Sequence, residues 1–145
     1  MRSSSGKAES GEPDQRLVGI GYAPAPTLLL LSADQALADF VASAVQPPWT
    51  FAHQPAAYTG PAVFARPNVQ LVVLDDEAIE RSERGSLLTR IRRYLPTTPL
   101  LYIAATHNEA NERQARTNGA HYYTSKPLSL EHFGYVLQSF LRAQK

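Results

Sequence analysis

The candidate chemistry of this chain lies in an acidic cluster and a lysine, each at the end of a mainly apolar segment. The acidic cluster Asp75–Glu77 directly follows the run Val69–Leu74, and Lys126 directly precedes Pro127. Carboxylate oxygens are the ligands that hard cations such as Mg²⁺ take. If both segments are strands of one parallel sheet, Asp75 and Lys126 face each other at the edge where functional groups gather. A Lys-Pro pair also fits a tight turn there, of the kind that accommodates a cis bond.

Other common chemistries find no support in the sequence. The chain has no cysteine, which excludes disulfides, thiolate metal sites and cysteine nucleophiles. It has no Gly-rich phosphate loop and no nucleophile elbow. The histidines lack the spacing of a zinc site; they are His53, His107, His121 and His132. We therefore expect a protein that is not an enzyme.

Five short segments with strand character alternate with helical patterns. The first is a continuous apolar run, as is typical of a strand buried on both faces of a parallel sheet. The predicted strands are Thr27–Leu31, Trp49–Gln54, Val69–Leu74, Leu100–Ala104 and His121–Thr124. Strand–helix alternation predicts right-handed crossovers and a parallel sheet with helices on both faces. The sequence therefore predicts an α/β fold.

The five predicted helices are specified unequally. Apolar residues at helical spacing support the first helix, the third at Ser82–Tyr94, and the last, which Ser129 caps. The segment Pro55–Pro67 contains a Gly-Pro pair, so any helix there is short. The fourth helix, Asn108–Thr117, has only two apolar residues, Ala110 and Ala115. The predicted buried face of the last helix consists of Leu130, Phe133, Val136, Leu137, Phe140 and Leu141.

Length and composition point to one ordinary globular domain. The net charge of +1 gives no reason to expect binding to nucleic acid or to an anionic membrane, and we interpret the arginines within residues 90–94 as a solvated helix face. Residues 1–25 are polar, which predicts a disordered tail or linker, and residues 26–145 form the predicted domain. The longest apolar run, Leu100–Ala105, is too short to span a bilayer. The lack of cysteine fits a cytoplasmic protein.

Three segments resemble the receiver domain of two-component response regulators. They are Gln70–Asp75, Thr98–Ala104 and Gly119–Pro127, and the last is the most specific because it combines Gly-Ala, an aromatic and Lys-Pro. The resemblance covers roughly residues 27 to 143. It implies a flavodoxin-like sheet of order 2-1-3-4-5 with five helices on both faces. It also implies a signalling role, with a histidine kinase or another signalling protein as partner.

The resemblance assigns roles to particular side chains. It makes Asp75 the candidate phosphoacceptor and Lys126 the candidate contact to the phosphoryl oxygens. In the family, Mg²⁺ is held by the acceptor aspartate and an acidic pair after the first strand. A hydroxyl after the fourth strand, at the position of Ala104, reads the phosphoryl group, and an aromatic on the fifth strand, here Tyr123, swings inward. Ala104 and Tyr123 are therefore the switch candidates.

This sequence departs from the family at the metal-binding acids. The acidic pair falls at Ser32 and Ala33, which leaves Asp34, Asp75 and Glu77 as weak metal candidates. Losing about 4 kcal/mol of metal stabilisation would slow phosphoryl acquisition on the order of 10³-fold. The resemblance thus implies a degenerate receiver in which Mg²⁺ binding is weak.

The switch is also incomplete, which leaves two functional hypotheses. Ala104 has no hydroxyl, and Thr106 lies two residues further on. The first hypothesis is a pseudo-receiver that acts by protein contact through the face formed by the fourth helix, fifth strand and fifth helix, with Tyr102 and Tyr122 on that face. The alternative is a conventional phosphoacceptor switch that uses Asp75 with weakened Mg²⁺ dependence. Asp75 as a loop cap, Lys126 as its ion-pair partner and Tyr123 as static packing remain open as simpler interpretations.

Overall fold

A five-stranded parallel sheet forms the centre of the molecule. The computed structural model describes residues 25–55 and 61–143. Residues 1–24 of the predicted tail therefore lie outside the described residues. The sheet has the order β2-β1-β3-β4-β5, and every neighbouring pair is parallel. Both features match the expectation. The strands are β1 (Thr27–Leu31), β2 (Thr50–Gln54), β3 (Val69–Asp75), β4 (Leu100–Ala104) and β5 (Tyr122–Ser125).

The described residues contain four helices of nine residues or more, rather than the expected five. These are α1 (Gln35–Ala44), α3 (Arg81–Tyr94), α4 (Glu109–Thr117) and α5 (Leu130–Ala143). The described residues between β2 and β3 contain a single helical turn, α2 (Pro61–Phe64). Prolines at positions 55, 61 and 67 explain this, because proline cannot continue a helix through its interior. A 3₁₀ turn, Asp76–Ala78, follows β3 directly.

The sheet separates two hydrophobic layers. Successive residues of a strand point to opposite faces, so Leu28 and Leu30 join the layer under α1 and α5. Leu29 and Leu31 join the layer under α3 and α4. All five residues of β1 and of β4 are buried. Burial on both faces explains the continuous apolar runs that the sequence shows there.

The last helix buries fewer side chains than the sequence predicts, whereas the small number of buried residues in α4 agrees with its few apolar residues. In α4 only Ala115 is buried, whereas Ala110 is exposed. In α5 the buried residues are Phe133, Leu137 and Leu141. Leu130 is 43% exposed because it begins the helix, beyond the part that lies over the sheet, so its prediction as a core residue is wrong. The predicted core residues Val136 and Phe140 are only partly buried.

Two side-chain hydrogen bonds connect α5 to elements from the first part of the chain. The indole Nε1 of Trp49, just before β2, donates to the carbonyl of Leu141 at 3.2 Å. The amide Nε2 of Gln138 donates to the carbonyl of Ala44, the last residue of α1, at 3.0 Å. These bonds hold α5 against the segment before β2 and the end of α1. None of the helices within the described ranges is long and apolar enough to cross a membrane.

Candidate functional site

Asp75 lies at the carboxyl end of β3 and is only 1% exposed. Its Oδ2 accepts from the Ser32 hydroxyl at 2.6 Å and from Lys126 Nζ at 3.0 Å. Its Oδ1 accepts from the backbone N–H of Glu77 at 3.2 Å, which starts the 3₁₀ turn. A buried carboxylate is stable only when donors surround it. Asp75 is thus held in place from three directions, and it also caps the following turn.

Lys126 joins the acidic side chains at this end of the sheet. Its ammonium donates to Asp75, to Asp34 Oδ2 at 3.2 Å and to Glu77 Oε1. The backbone N–H of Lys126 also donates to the carbonyl of Ala104 at 2.9 Å, which fixes the end of β5 beside β4. The following peptide bond is cis, as the Lys-Pro sequence allows. The structure therefore brings Lys126 and Asp75 together as the sequence analysis expected.

Local structure at the end of β1 completes this cluster. Asp34 is the N-cap of α1, where its Oδ1 accepts from Leu37 N at 3.1 Å. The hydroxyl of Ser32 accepts from Asp34 N at 3.0 Å while it donates to Asp75. Ser32 is 3% exposed, and its carbonyl lies 2.8 Å from His53 Nε2. Ser32 is therefore a structural connector between β1, α1 and β3.

The charges of this cluster stabilise each other. Burial disfavours the ammonium of Lys126, but its hydrogen bonds to Glu77, Asp75 and Asp34 outweigh burial and raise its pKa. The pKa of Asp34 is lowered, mainly by the hydrogen bond from Leu37 N and further by Lys126, against the opposing effect of burial. Both groups are thus held in their charged forms around neutral pH.

The candidate metal ligands do not form an open coordination site. Asp34, Asp75 and Glu77 all accept from Lys126, so a cation already sits among them. Within residues 25–55 and 61–143, no group of three or more His, Cys, Asp or Glu side chains is arranged to hold a metal ion. Positions 32 and 33, a serine and an alanine, add no carboxylate to this group. Lys126 thus occupies the space among the three candidate ligands.

The switch candidates lie on β4, β5 and the loop between β4 and α4. Ala104 is completely buried, and Thr106 is exposed in that loop. Tyr123 is partly buried, and its hydroxyl lies 3.1 Å from His107 Nδ1. Its ring stacks on Tyr102 with centroids 5.7 Å apart. Burial, with a smaller effect from acidic neighbours, raises the pKa of Tyr123.

The sequence analysis missed a second buried carboxylate, Asp76. This residue is 0% exposed, and its Oδ2 accepts from the Tyr102 hydroxyl at 2.6 Å. Its Oδ1 accepts from Ala105 N at 2.8 Å, and Arg84 Nη1 lies 3.4 Å from Oδ2. A tyrosine in a predicted buried strand was the available signal, because a buried hydroxyl requires a partner. The position of Asp76 within a run of acidic residues does not indicate which way its side chain points.

The placement of Tyr102 on an exposed interaction face was wrong. Tyr102 is 1% exposed and belongs to the hydrophobic layer under α3 and α4. Its position in β4, which is covered on both faces, explains the burial. Burial and the hydrogen bond to Asp76 raise its pKa strongly. Tyr122, by contrast, is partly exposed, and its ring lies beside His132 of α5.

Comparison with known proteins identifies the fold. No family model matches the sequence, and no curated protein matches it. Among solved structures, the CheY-like receiver domain protein of Methanospirillum hungatei has a TM-score of 0.68 and 18% identity, over 82% of this chain and 95% of that one. The receiver domain of Francisella response regulator 1452 has a TM-score of 0.66 and 18% identity, over 83% and 99%. An orphan response regulator of H. pylori has a TM-score of 0.67 and 17% identity, over 83% and 99%. The chain therefore has the fold of CheY-like response-regulator receiver domains.

Proposed function

We propose that this chain is a signalling module of the two-component type, a pseudo-receiver that acts through protein contact rather than as an enzyme. The receiver fold supports the signalling role. The observation that carries the degenerate assignment is the Ser32 hydroxyl, which donates to Asp75 where the resemblance implies an acidic residue. A cytoplasmic location, expected from the cysteine-free sequence, is part of the same proposal.

In this proposal, the Lys126 ammonium is the cation of the site. A divalent ion entering the cluster must displace an ammonium that three carboxylates hold. The displaced ammonium loses its hydrogen bond to the buried Asp75, and the ion must offset that loss as well as its own dehydration. Ser32 adds a donor to Asp75 where the family has a carboxylate. Mg²⁺ binding is therefore weak, which lowers the rate of any metal-assisted phosphoryl transfer.

Asp75 is also poorly placed to react. Its Oδ2 already accepts two hydrogen bonds, and the side chain is almost completely buried. Attack on a phosphorus atom requires an oxygen to exchange these donors for the incoming group. The conventional alternative, a phosphoacceptor with weakened Mg²⁺ dependence, is favoured by one observation, which is that Asp75 and Lys126 are retained in contact.

The proposed contact surface is the face formed by α4, β5 and α5. Tyr135 of α5 is 70% exposed, and Tyr122 and His132 form an aromatic pair at the β5 edge. The α3 arginines are less suited to a nucleic-acid surface, because two of them serve internal contacts. Arg84 pairs with Asp76, and Arg92 donates to the carbonyls of residues 96 and 98. We propose a histidine kinase or another signalling protein as partner.

Intact mass after incubation with acetyl phosphate, with and without Mg²⁺, tests this function. We expect no phosphorylated species, under conditions in which a receiver domain with a complete acidic pair is labelled in parallel. Asp75→Asn is the matched control, since it keeps size and polarity and removes the acceptor. A phosphoryl gain that is present in the wild type and absent from Asp75→Asn would establish the conventional alternative instead.

A further inference from the structure

The carboxylate of Asp76 is the most densely bonded buried charge outside the Asp75 cluster. It receives the Tyr102 hydroxyl on Oδ2 and the Ala105 backbone N–H on Oδ1, at 2.6 and 2.8 Å. Arg84 supplies the compensating positive charge at 3.4 Å. The partners come from β4, from the loop after β4 and from α3. One carboxylate thus joins three separate parts of the fold.

Arg84 is itself held in position. Its Nε donates to the carbonyl of Ile79 and its Nη2 to the carbonyl of Asp76, both at 3.0 Å. The guanidinium therefore bonds the backbone of the 3₁₀ turn and the Asp76 side chain together. A buried charge pair is stable when further hydrogen bonds satisfy its remaining donors and acceptors. Both members of the pair, the Asp76 carboxylate and the Arg84 guanidinium, make such further hydrogen bonds.

The network extends to the far end of the β4–α4 loop. Tyr102, bonded to Asp76, stacks on Tyr123 with an interplanar angle of 14°. The Tyr123 hydroxyl contacts the ring of His107, which lies at the other end of the same loop. Asp76 therefore holds Ala105 directly and His107 through two aromatic rings.

The carboxylates of Asp76 and Asp75 have different hydrogen-bond partners, although both groups contact the same 3₁₀ turn. Asp75 bonds to Ser32, Lys126 and the backbone of Glu77, and none of these groups contacts the Asp76 carboxylate among the hydrogen bonds of the described residues. The two neighbouring aspartates thus have different partners. A change of charge at Asp75 does not remove any bond that holds the loop.

We infer that Asp76 is a positioning residue that fixes the β4–α4 loop from inside the protein, so that the surface beside α4 keeps one arrangement whatever the state of Asp75. This inference deepens the proposed function and rests on it for its meaning, since a partner would read a permanently formed surface. The role assigned to Asp76 is distinct from any reaction at Asp75.

Hydrogen exchange of the Ala105 amide, measured by NMR in the whole chain, tests the inference. In Asp76→Asn the side chain keeps one acceptor oxygen but loses the charge that pairs with Arg84, so the bond from Ala105 N is no longer charge-assisted and weakens. We expect exchange at Ala105 to accelerate about tenfold or more relative to the wild type. Amides in the centre of β3, such as Val73, report global opening and provide the correction for overall stability.

Two further variants make the outcome decisive. Tyr102→Phe keeps the ring stack and removes one bond to Asp76, so Ala105 exchange should rise severalfold even if Asp76→Asn does not fold. Asp75→Asn should leave Ala105 exchange unchanged. Unchanged exchange in Asp76→Asn and Tyr102→Phe, or equal acceleration in Asp75→Asn, would overturn the inference. The labelling experiment is a separate readout, so failure of the pseudo-receiver proposal and failure of the Asp76 role are distinguishable.

Discussion

Lys126 Nζ lies 3.0 Å from Asp75 Oδ2 and 3.2 Å from Asp34 Oδ2. One ammonium on the residue after β5 therefore joins the end of β3 to the beginning of α1. Lys126 is 18% exposed and Asp75 is 1% exposed, so water screens the Lys126–Asp75 pair only partly. Four predictions follow for this cluster and for the neighbouring position 33.

Replacing Lys126 with methionine should both destabilise the protein and create affinity for a divalent cation. Without the ammonium, the carboxylates of Asp34, Asp75 and Glu77 repel each other. We expect a loss of about 2 kcal/mol in the free energy of unfolding at neutral pH. Mg²⁺ at about five times its dissociation constant should restore about 1 kcal/mol. Urea unfolding with and without Mg²⁺ measures both effects.

The wild type is the control for that measurement. Because its carboxylates are already neutralised, Mg²⁺ should change its unfolding midpoint much less than that of Lys126→Met. An equal Mg²⁺ effect in both proteins would show that Lys126 does not exclude the ion.

The contribution of Lys126 to stability should persist to high pH. Its pKa is raised above the unfolded value of 10.5, because hydrogen bonds to carboxylates outweigh burial. A raised folded-state pKa gives a contribution that is complete below pH 10.5 and is lost as the pH rises through the folded-state value. The difference in unfolding free energy between wild type and Lys126→Met should therefore be constant from pH 7 to about 10. If the difference is already lost before the pH has been raised to 9, this assignment is contradicted.

Asp34 should contribute on the acid side. Its pKa is lowered from 3.8, mainly by the N-cap hydrogen bond from Leu37 and also by Lys126. Its stabilising contribution is therefore complete well above pH 3.8 and is lost as the pH falls through the lowered folded-state value. Asparagine keeps the cap but removes the charge. Asp34→Asn should cost about 0.2–1 kcal/mol at neutral pH, since the side chain is partly exposed.

Thermal or urea unfolding across the acid range checks the Asp34 prediction. The difference between wild type and Asp34→Asn should shrink as the pH falls below 3.8. A difference that stays the same down to pH 2 would mean that the lost stability comes from the cap rather than from the charge.

A carboxylate introduced at position 33 should partly restore a metal site. Ala33 is exposed and directly precedes Asp34, so Ala33→Asp places a new charge beside the existing acids without filling the core. We expect Mg²⁺ to raise the unfolding midpoint of this variant, by a few degrees for about 1 kcal/mol of binding. Ala33→Asn is the matched control because it has nearly the same size and no charge. If both variants respond equally to Mg²⁺, the missing acid is not what weakens the site.

The strands were predictable because their burial is recorded in the sequence. Residues 28–31 and 100–104 are apolar without interruption, and the structure buries both runs on two faces. The order of the sheet followed from the resemblance, and it is confirmed. The single helical turn among the described residues between β2 and β3 was only partly predictable, since a proline-rich segment indicates where a helix is interrupted but not how long the remaining turn is.

The candidate site was predictable in part, for the same physical reason. Asp75 and Lys126 end strands of one sheet, so topology alone brings them together. The roles of Ser32 and Asp76 depend on hydrogen bonds between elements distant in sequence, which no local pattern records. Tyr102 was misplaced because its residue type suits an exposed aromatic as well as a buried one with a partner.

The hydrogen bond between Trp49 and α5 makes Trp49 an intrinsic fluorescence probe of the docking of α5. The chain contains one tryptophan, and its indole donates to the carbonyl of Leu141 while the side chain stays 8% exposed. Undocking of α5 would break that bond and admit water to the ring, which shifts tryptophan emission to longer wavelength. Fluorescence therefore reports the docking of this helix without any label, and a partner that displaces α5 would be visible in the unmodified protein.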